Sequence, residues 1–471
     1  MNPRPSFSRA SMLIVVAFLL AALLAPAASA TSTFSATLTR KLDPVVLSGA
    51  QIPEWAGVSL QQLFLYAYDA GSGWRQIPWQ FDEKQDGVFV AGGNGKLDAD
   101  DELAFMARDC GDQASASQWL ADADARNHSR YEIAITDPLH PGERCWAYLY
   151  RSATLTNTPH HDYVGYRGYT VVGDNYELTL QEANLIAESL RLFGSSTDVL
   201  DRTKVRARSG AFTLTEAELA PTDPRTDWYP IRDGNVRTII YFVAYDETSQ
   251  TYILLTLLGY ASMFCEHVTY DLSSLAPTLD EFRYSADLTP AMAGGTYFDA
   301  NTPAGVDVDG KADRVSATPF SPWNQVSHPA LGSIVQVIDP TSLGGAPQTY
   351  YKDDASYDSH DTGDHQSYAD PGLLVKNGSG NLVFDVWYYV LPAGQGNVGA
   401  DYAATAMHPL QTQATAQERV ESTATPIPTS STPSATPPAT STPTPTPTST
   451  PTATATATLE RIHLNLPLVL R

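Results

Sequence analysis

The sequence predicts an all-β protein, a large β-sandwich or supersandwich with few short helices, followed by a disordered Pro/Thr linker. Three observations carry the prediction. Segments of alternating β-branched and aromatic residues recur between turn clusters, as strands with one buried face require. Only one stretch has helical spacing of its apolar residues. The run of Pro, Thr, Ser and Ala from about Thr423 to Thr458 is too poor in apolar surface to fold.

Taken in order, Arg4 and Arg9 precede an apolar run at 12–24, and Ala28-Ser29-Ala30 supplies a small-residue cleavage site. Residues 1–30 therefore read as a signal peptide, and the mature chain is expected to begin at Thr31. Strands are expected at 60–68, 75–81, 131–135, 145–151 and 163–172, then at 203–208, 236–245, 251–257, 264–270, 332–338 and 382–391. The one expected helix is 181–193, where Leu185 or Ile186, Leu190 and Phe193 share a face and Gly194 stops it. A loop rich in Asp and Pro at 221–230 suggests an N-terminal β domain over 31–210 and a C-terminal β-sandwich region over 211–411. A linker follows over 412–458. The last residues, 459–471, place Ile462, Leu464, Leu466, Leu468 and Leu470 on alternate positions, the period of a strand. Such a tag is too short to cross a bilayer but can add as an edge strand to a cell-envelope partner.

A net charge of −23 argues against a nucleic-acid partner, which needs clustered Lys and Arg. No second apolar stretch is long enough to span a membrane once the leader is removed. Three cysteines in an exported chain allow one bridge. The shorter loop favours Cys110 with Cys145 over either pairing with Cys265, which reads as a buried core thiol.

At Arg232-Asp-Gly-Asn-Val-Arg-Thr-Ile-Ile240, preceded by Asp201-Arg-Thr-Lys204, the chain resembles the galactose-mutarotase-type supersandwich of polysaccharide-handling proteins, in which a Gly-x-Val-Arg turn opens a core strand. The resemblance implies a large β-sandwich with carbohydrate as the ligand class, and carries over no catalytic residue. Separately, the Pro/Thr stalk and the Leu-Pro-Leu-Val tail resemble those of secreted surface proteins of filamentous bacteria.

Three constellations are candidates for chemistry. Asn94, Asp98, Asp100, Asp101 and Glu102 cluster around a turn and match the second half of a calcium loop, which needs six to eight hard oxygens around a glycine bend. Asp307, Asp309 and Asp313 repeat the phrase. Ca²⁺ is the cofactor expected at both; a tight turn with solvated acids is the simpler alternative. The stretch 350–370 carries Tyr357, His360 and His365 as acid and base candidates, with Lys352 as a charge neutraliser, the set that polysaccharide β-elimination requires; an acidic surface loop is the simpler alternative. Trp228, Trp323 and Tyr368 are candidate sugar-stacking surfaces. Together these predict a secreted or cell-surface, carbohydrate-interacting and calcium-stabilised protein whose partner is an extracellular glycan. The alternatives are a polysaccharide lyase or glycoside hydrolase acting through the 350–370 loop, and a structural or adhesive surface protein.

Overall fold

The computed structural model describes residues 34–182, 184, 186–219, 227–246 and 250–420. The leader, the linker beyond 420 and the terminal tag lie outside the described residues. Within them, antiparallel sheets dominate, and the one α-helix is Gly399–Met407. No helix here is long and apolar enough to cross a membrane.

The N-terminal part is a sandwich. A three-stranded sheet orders Pro44–Ser48, Glu102–Met106 and Gln80–Asp82, and a five-stranded sheet orders Gln411–Gln417, Arg130–Thr136, Arg144–Arg151, Leu63–Asp69 and Gly73–Gln76. Val45, Leu47 and Phe105 from the first meet Leu65, Ile133, Ile135 and Leu149 from the second, all fully buried. The Cys110–Cys145 disulfide pins the loop after Glu102–Met106 to the strand Arg144–Arg151, as the loop-length argument favours, and Cys265 is a buried free thiol.

A larger sandwich follows. Nine strands run in the order Asp227–Asp233, Thr238–Asp246, Thr251–Gly259, Met263–Asp271, Asn381–Leu391, Gly332–Ser342, Trp323–His328, Thr296–Asp299 and Val306–Asp307. Five more, Phe212–Thr215, Leu200–Ser209, Thr278–Leu288, Gly372–Ser379 and Ala346–Tyr350, form a second sheet. The two share one core, in which Phe282 and Tyr284 of the second sheet pack edge-on against Phe384 of the first at 5.9 and 5.1 Å between ring centres. Such pairs each add about 0.5–1.5 kcal/mol beyond the area they bury. The Val-Arg turn behaves as the resemblance implies: Val236 is buried, and Thr238–Asp246 pairs along its length with Thr251–Gly259.

Four expectations are corrected. The helix at 181–193 is instead a turn leading into the strand Ala187–Leu192, which pairs with Tyr176–Leu180. Its apolar residues satisfy either period, and the free edge of the neighbouring strand decides in favour of the sheet; Phe193 at φ 51° ends it. The helix Gly399–Met407 was not expected. Residues 412–417, which composition places in the linker, form with Gln411 a strand whose Ala414 and Ala416 pack on the N-terminal core. The boundary near Gly210 falls in the turn between Leu200–Ser209 and Phe212–Thr215, and a single sheet spans it.

Candidate functional site

Alternation along two neighbouring strands builds a polar platform. In Leu200–Ser209, Thr203, Val205 and Ala207 face the core, so Arg202, Lys204 and Arg206 face the other way. In Thr278–Leu288, Phe282, Tyr284, Ala286 and Leu288 are buried in the core, which leaves Arg283, Ser285 and Asp287 on that same outer face. Register sets Lys204 opposite Ser285 and Arg206 opposite Arg283. A bulge between Leu200 and Arg202 leaves Asp201 unpaired at the end of the strip.

The 350–370 segment roofs this platform, so Lys204, Ser285 and Asp287 are buried although they lie on the outside of the sheet, and Arg202, Arg206 and Arg283 are partly covered. Lys204 is fully buried, with its ammonium 2.6 Å from Asp361 Oδ2 of the roof and in contact with Asp287 Oδ2. Arg206 donates to Thr362 Oγ1 at 2.9 Å, lies 3.2 Å from Asp361 Oδ1, and pairs with the buried Glu216. Asp364 donates its N–H to Asp201 Oδ1 at 3.1 Å. Gly363 makes the close approach possible: it has φ 79°, and a Cβ there would stand 1.9 Å from Asp201 Oδ2.

The platform is crowded with acid. Burial pushes the Asp287 carboxyl up to about 9, reinforced by the neighbouring Asp370 and opposed by Lys204. Burial works against the charged form of Lys204, but Asp287 and Asp370 outweigh it and hold its pKa above the ordinary lysine value. Asp361 lies below its ordinary value because Lys204 overcomes its partial burial. Asp370 is buried with neither carboxylate oxygen hydrogen-bonded, and its nearest cation is Arg283 at 3.8 Å.

The candidates on the roof separate. Tyr357 is 70% exposed and leans on the His365 ring at 4.9 Å between centres, with 44° between planes. His365, at φ 62°, places Nδ1 3.1 Å from the Asp358 carbonyl oxygen. The His360 side chain is 95% exposed and has only Asp358 Oδ1 nearby, at 3.6 Å. Lys352 lies 3.5 Å from Asp358 Oδ2. Thus Tyr357 and His365 form a contact pair, and His360 points into solvent.

Among the stacking candidates, Tyr368 is half-buried against the sandwich core. Trp323 is core rather than platform: it is 7% exposed and lies under the helix Gly399–Met407, whose Gly399 sits so close that a Cβ would meet the indole at 2.1 Å. The side chain of Trp228 lies outside the described residues.

At the first acidic turn, protein groups engage the oxygens. Asp101 is buried and accepts the N–H groups of Lys84 at 3.0 Å and Asp98 at 2.7 Å. Asn94 donates to Asp98 Oδ2 at 2.6 Å, Asp100 accepts from Gly87 N–H, and Glu102 pairs with Lys84 and Arg237. At the second turn Asp307, Asp309 and Asp313 are exposed, Asp309 pairs with Lys311, and Asp353 caps the Asp309 and Gly310 N–H groups. Among the described residues, neither turn gathers three carboxylates within ligating distance of one another. Asp201, Asp287 and Asp364 do, each offering an oxygen within 4.8 Å of the others. Sequence reasoning missed this set. Its visible signal was the period-two basic run Arg202, Lys204, Arg206 and Arg208 together with the acidic stretch 353–370.

No protein-family profile matches the chain, and no curated protein matches it. Solved structures do match, at low similarity. An alpha-N-acetylgalactosaminidase from Bifidobacterium bifidum in complex with GalNAc is 11% identical with a TM-score of 0.37, over 50% of this chain and 39% of the enzyme. The chain therefore spans about two fifths of that protein's length. An Escherichia coli protein described as a putative aldose 1-epimerase is 9% identical with a TM-score of 0.29, over 48% of this chain and 98% of its own. A copper-containing benzylamine oxidase from Hansenula polymorpha is 9% identical with a TM-score of 0.29, over 81% and 80%. Likeness at these scores carries no argument about activity.

Proposed function

We propose that this is an exported, cell-surface β-sandwich protein that binds extracellular glycan on the outer face of the 350–370 loop, with the terminal tag engaging a cell-envelope component. The observation that supports the binding face is Tyr357. A large ring left 70% exposed, propped against His365 on a loop tied to the sheet by ion pairs, presents a flat surface already held in place. Sugar rings stack on such faces, and the entropy of ordering the ring is largely spent before the ligand arrives.

The test is a glycan array probed with the full mature chain, followed by titration of the retained glycan. Tyr357→Ala is expected to weaken binding about fivefold to tenfold, the equivalent of about 1 kcal/mol from an aromatic contact, with an unchanged melting temperature because the ring is exposed. Retention of no glycan, or equal affinity in the variant, refutes the reading.

Polysaccharide elimination is the second reading, favoured by the contact that sets the Tyr357 and His365 rings side by side. Unsaturated product from uronate polymers, lost in His365→Ala and kept in His360→Ala, would establish it.

A further inference from the structure

We infer that Asp201, Asp287 and Asp364 form a binding site for one divalent cation of the calcium class, which fastens the 350–370 roof to the sheet beneath it. Their oxygens lie mutually within 4.8 Å, the span across an ion held at about 2.3–2.6 Å from each ligand.

Each of the three has a carboxylate oxygen that accepts no hydrogen bond among the described residues. Asp201 Oδ1 accepts the Asp364 N–H, while Oδ2, buried and without a hydrogen bond among the described residues, lies 3.3 Å from Arg202 Nε. Asp364 Oδ1 accepts the Gln366 N–H at 2.9 Å, and its other oxygen carries no protein hydrogen bond among the described residues. Asp287 is fully buried; Oδ2 touches the Lys204 ammonium, and Oδ1 is unpartnered. A buried carboxylate oxygen without a partner costs on the order of 1–3 kcal/mol or more, and the nearby Asp370 repeats the situation with both oxygens. These are the second, independent sign that something cationic is wanted here.

Charge balance agrees. Arg202, Lys204, Arg206 and Arg283 face Asp201, Glu216, Asp287, Asp361, Asp364 and Asp370, which leaves two carboxylates in excess. A dication neutralises that excess. Asp364 is exposed, so an ion can enter from solvent and retain waters to complete six to eight oxygens.

The inference stands apart from the glycan reading, since the metal alone is the probe. Full mature chain is stripped with chelator, then titrated with CaCl₂ by calorimetry, with melting and hydrogen exchange in parallel. One-site binding is expected, with a raised melting temperature and slower exchange across 358–367. Asp364→Asn, on the exposed side, and Asp201→Asn are each expected to weaken binding about tenfold or more, whereas the double variant Asp98→Ala, Asp101→Ala keeps the wild-type affinity. No saturable binding overturns the inference. So does binding that survives in both Asp364→Asn and Asp201→Asn, or that disappears only in the Asp98, Asp101 double variant.

Discussion

Replacing Glu266 by glutamine should change how the stability of the protein depends on pH. Glu266 lies in the strand Met263–Asp271, fully inside the large sandwich, where its partner is the Tyr284 hydroxyl. The titratable groups around it, Tyr270, Tyr284 and Tyr388, are all held above the ordinary tyrosine value by burial. A cavity of about 20 Å³ touches Glu266, room for about one water-sized sphere. Burial therefore pushes its carboxyl from 4.5 up to about 7, slightly opposed by the Tyr284 hydrogen bond. Between those values the folded chain holds a proton that the unfolded chain releases, so stability falls as pH rises. The contribution is fully present below about 4.5 and lost above about 7. At about 1.4 kcal/mol per pH unit this amounts to about 3 kcal/mol. For about 390 folded residues, an unfolding entropy near 0.8 kcal/mol/K converts it to about 4 °C. Calorimetric melting of both proteins from pH 4 to 8 should show Glu266→Gln close to wild type at pH 4 and about 4 °C more stable at pH 8. Other titrating groups, Asp287 included, cancel in the difference. A gap between the two proteins that stays constant over this range would refute the burial argument.

Other consequences follow from the same packing. Arg237 is buried with Nε 2.7 Å from Asp82 and Nη2 2.6 Å from Glu102, so Arg237→Ala strands a buried carboxylate and should cost about 3–5 kcal/mol in denaturant unfolding. Ending the chain after Met407 removes the strand Gln411–Gln417 and should lower the melting temperature by several degrees, whereas ending it after Val420 should leave it nearly unchanged. Cys110 and Cys145 are 35 residues apart, so Cys110→Ala with Cys145→Ala should cost about 4 kcal/mol by the chain-entropy relation, measured as a shift in the urea midpoint.

How much of this was legible from sequence depended on whether the deciding partner was local. Strands such as Arg130–Thr136, Thr251–Gly259 and Asn381–Leu391 announce themselves because alternation is written in consecutive residues. The segment 181–193 does not, since Ala187, Leu190 and Leu192 fit a helix as well as a strand until Tyr176–Leu180 is placed beside them. Trp323 stands next to proline and polar residues and reads as exposed; what covers it is Gly399, some seventy-five residues on. The strand Gln411–Gln417 hides because its core-facing residues are alanines. In the candidate site, the loop 350–370 was visible as a cluster of Asp, His and Tyr. The platform under it was not, because Lys204, Asp287 and Asp361 meet only through the register of Leu200–Ser209 with Thr278–Leu288 and the fold of the roof.

The pairing of Gln411–Gln417 with Arg130–Thr136 also sets an order of events during synthesis. The N-terminal sandwich is the first part of the folded body to be made, yet its five-stranded sheet lacks an edge until residue 417 has been delivered, after the whole larger sandwich. Vectorial folding from the N-terminus therefore finishes the inner, inserted sandwich before the outer one can close. In the interval the backbone of Arg130–Thr136 is an open template for strand addition, and a chain released too early, or stalled between residues 136 and 411, would carry that unsealed edge into contact with other nascent chains.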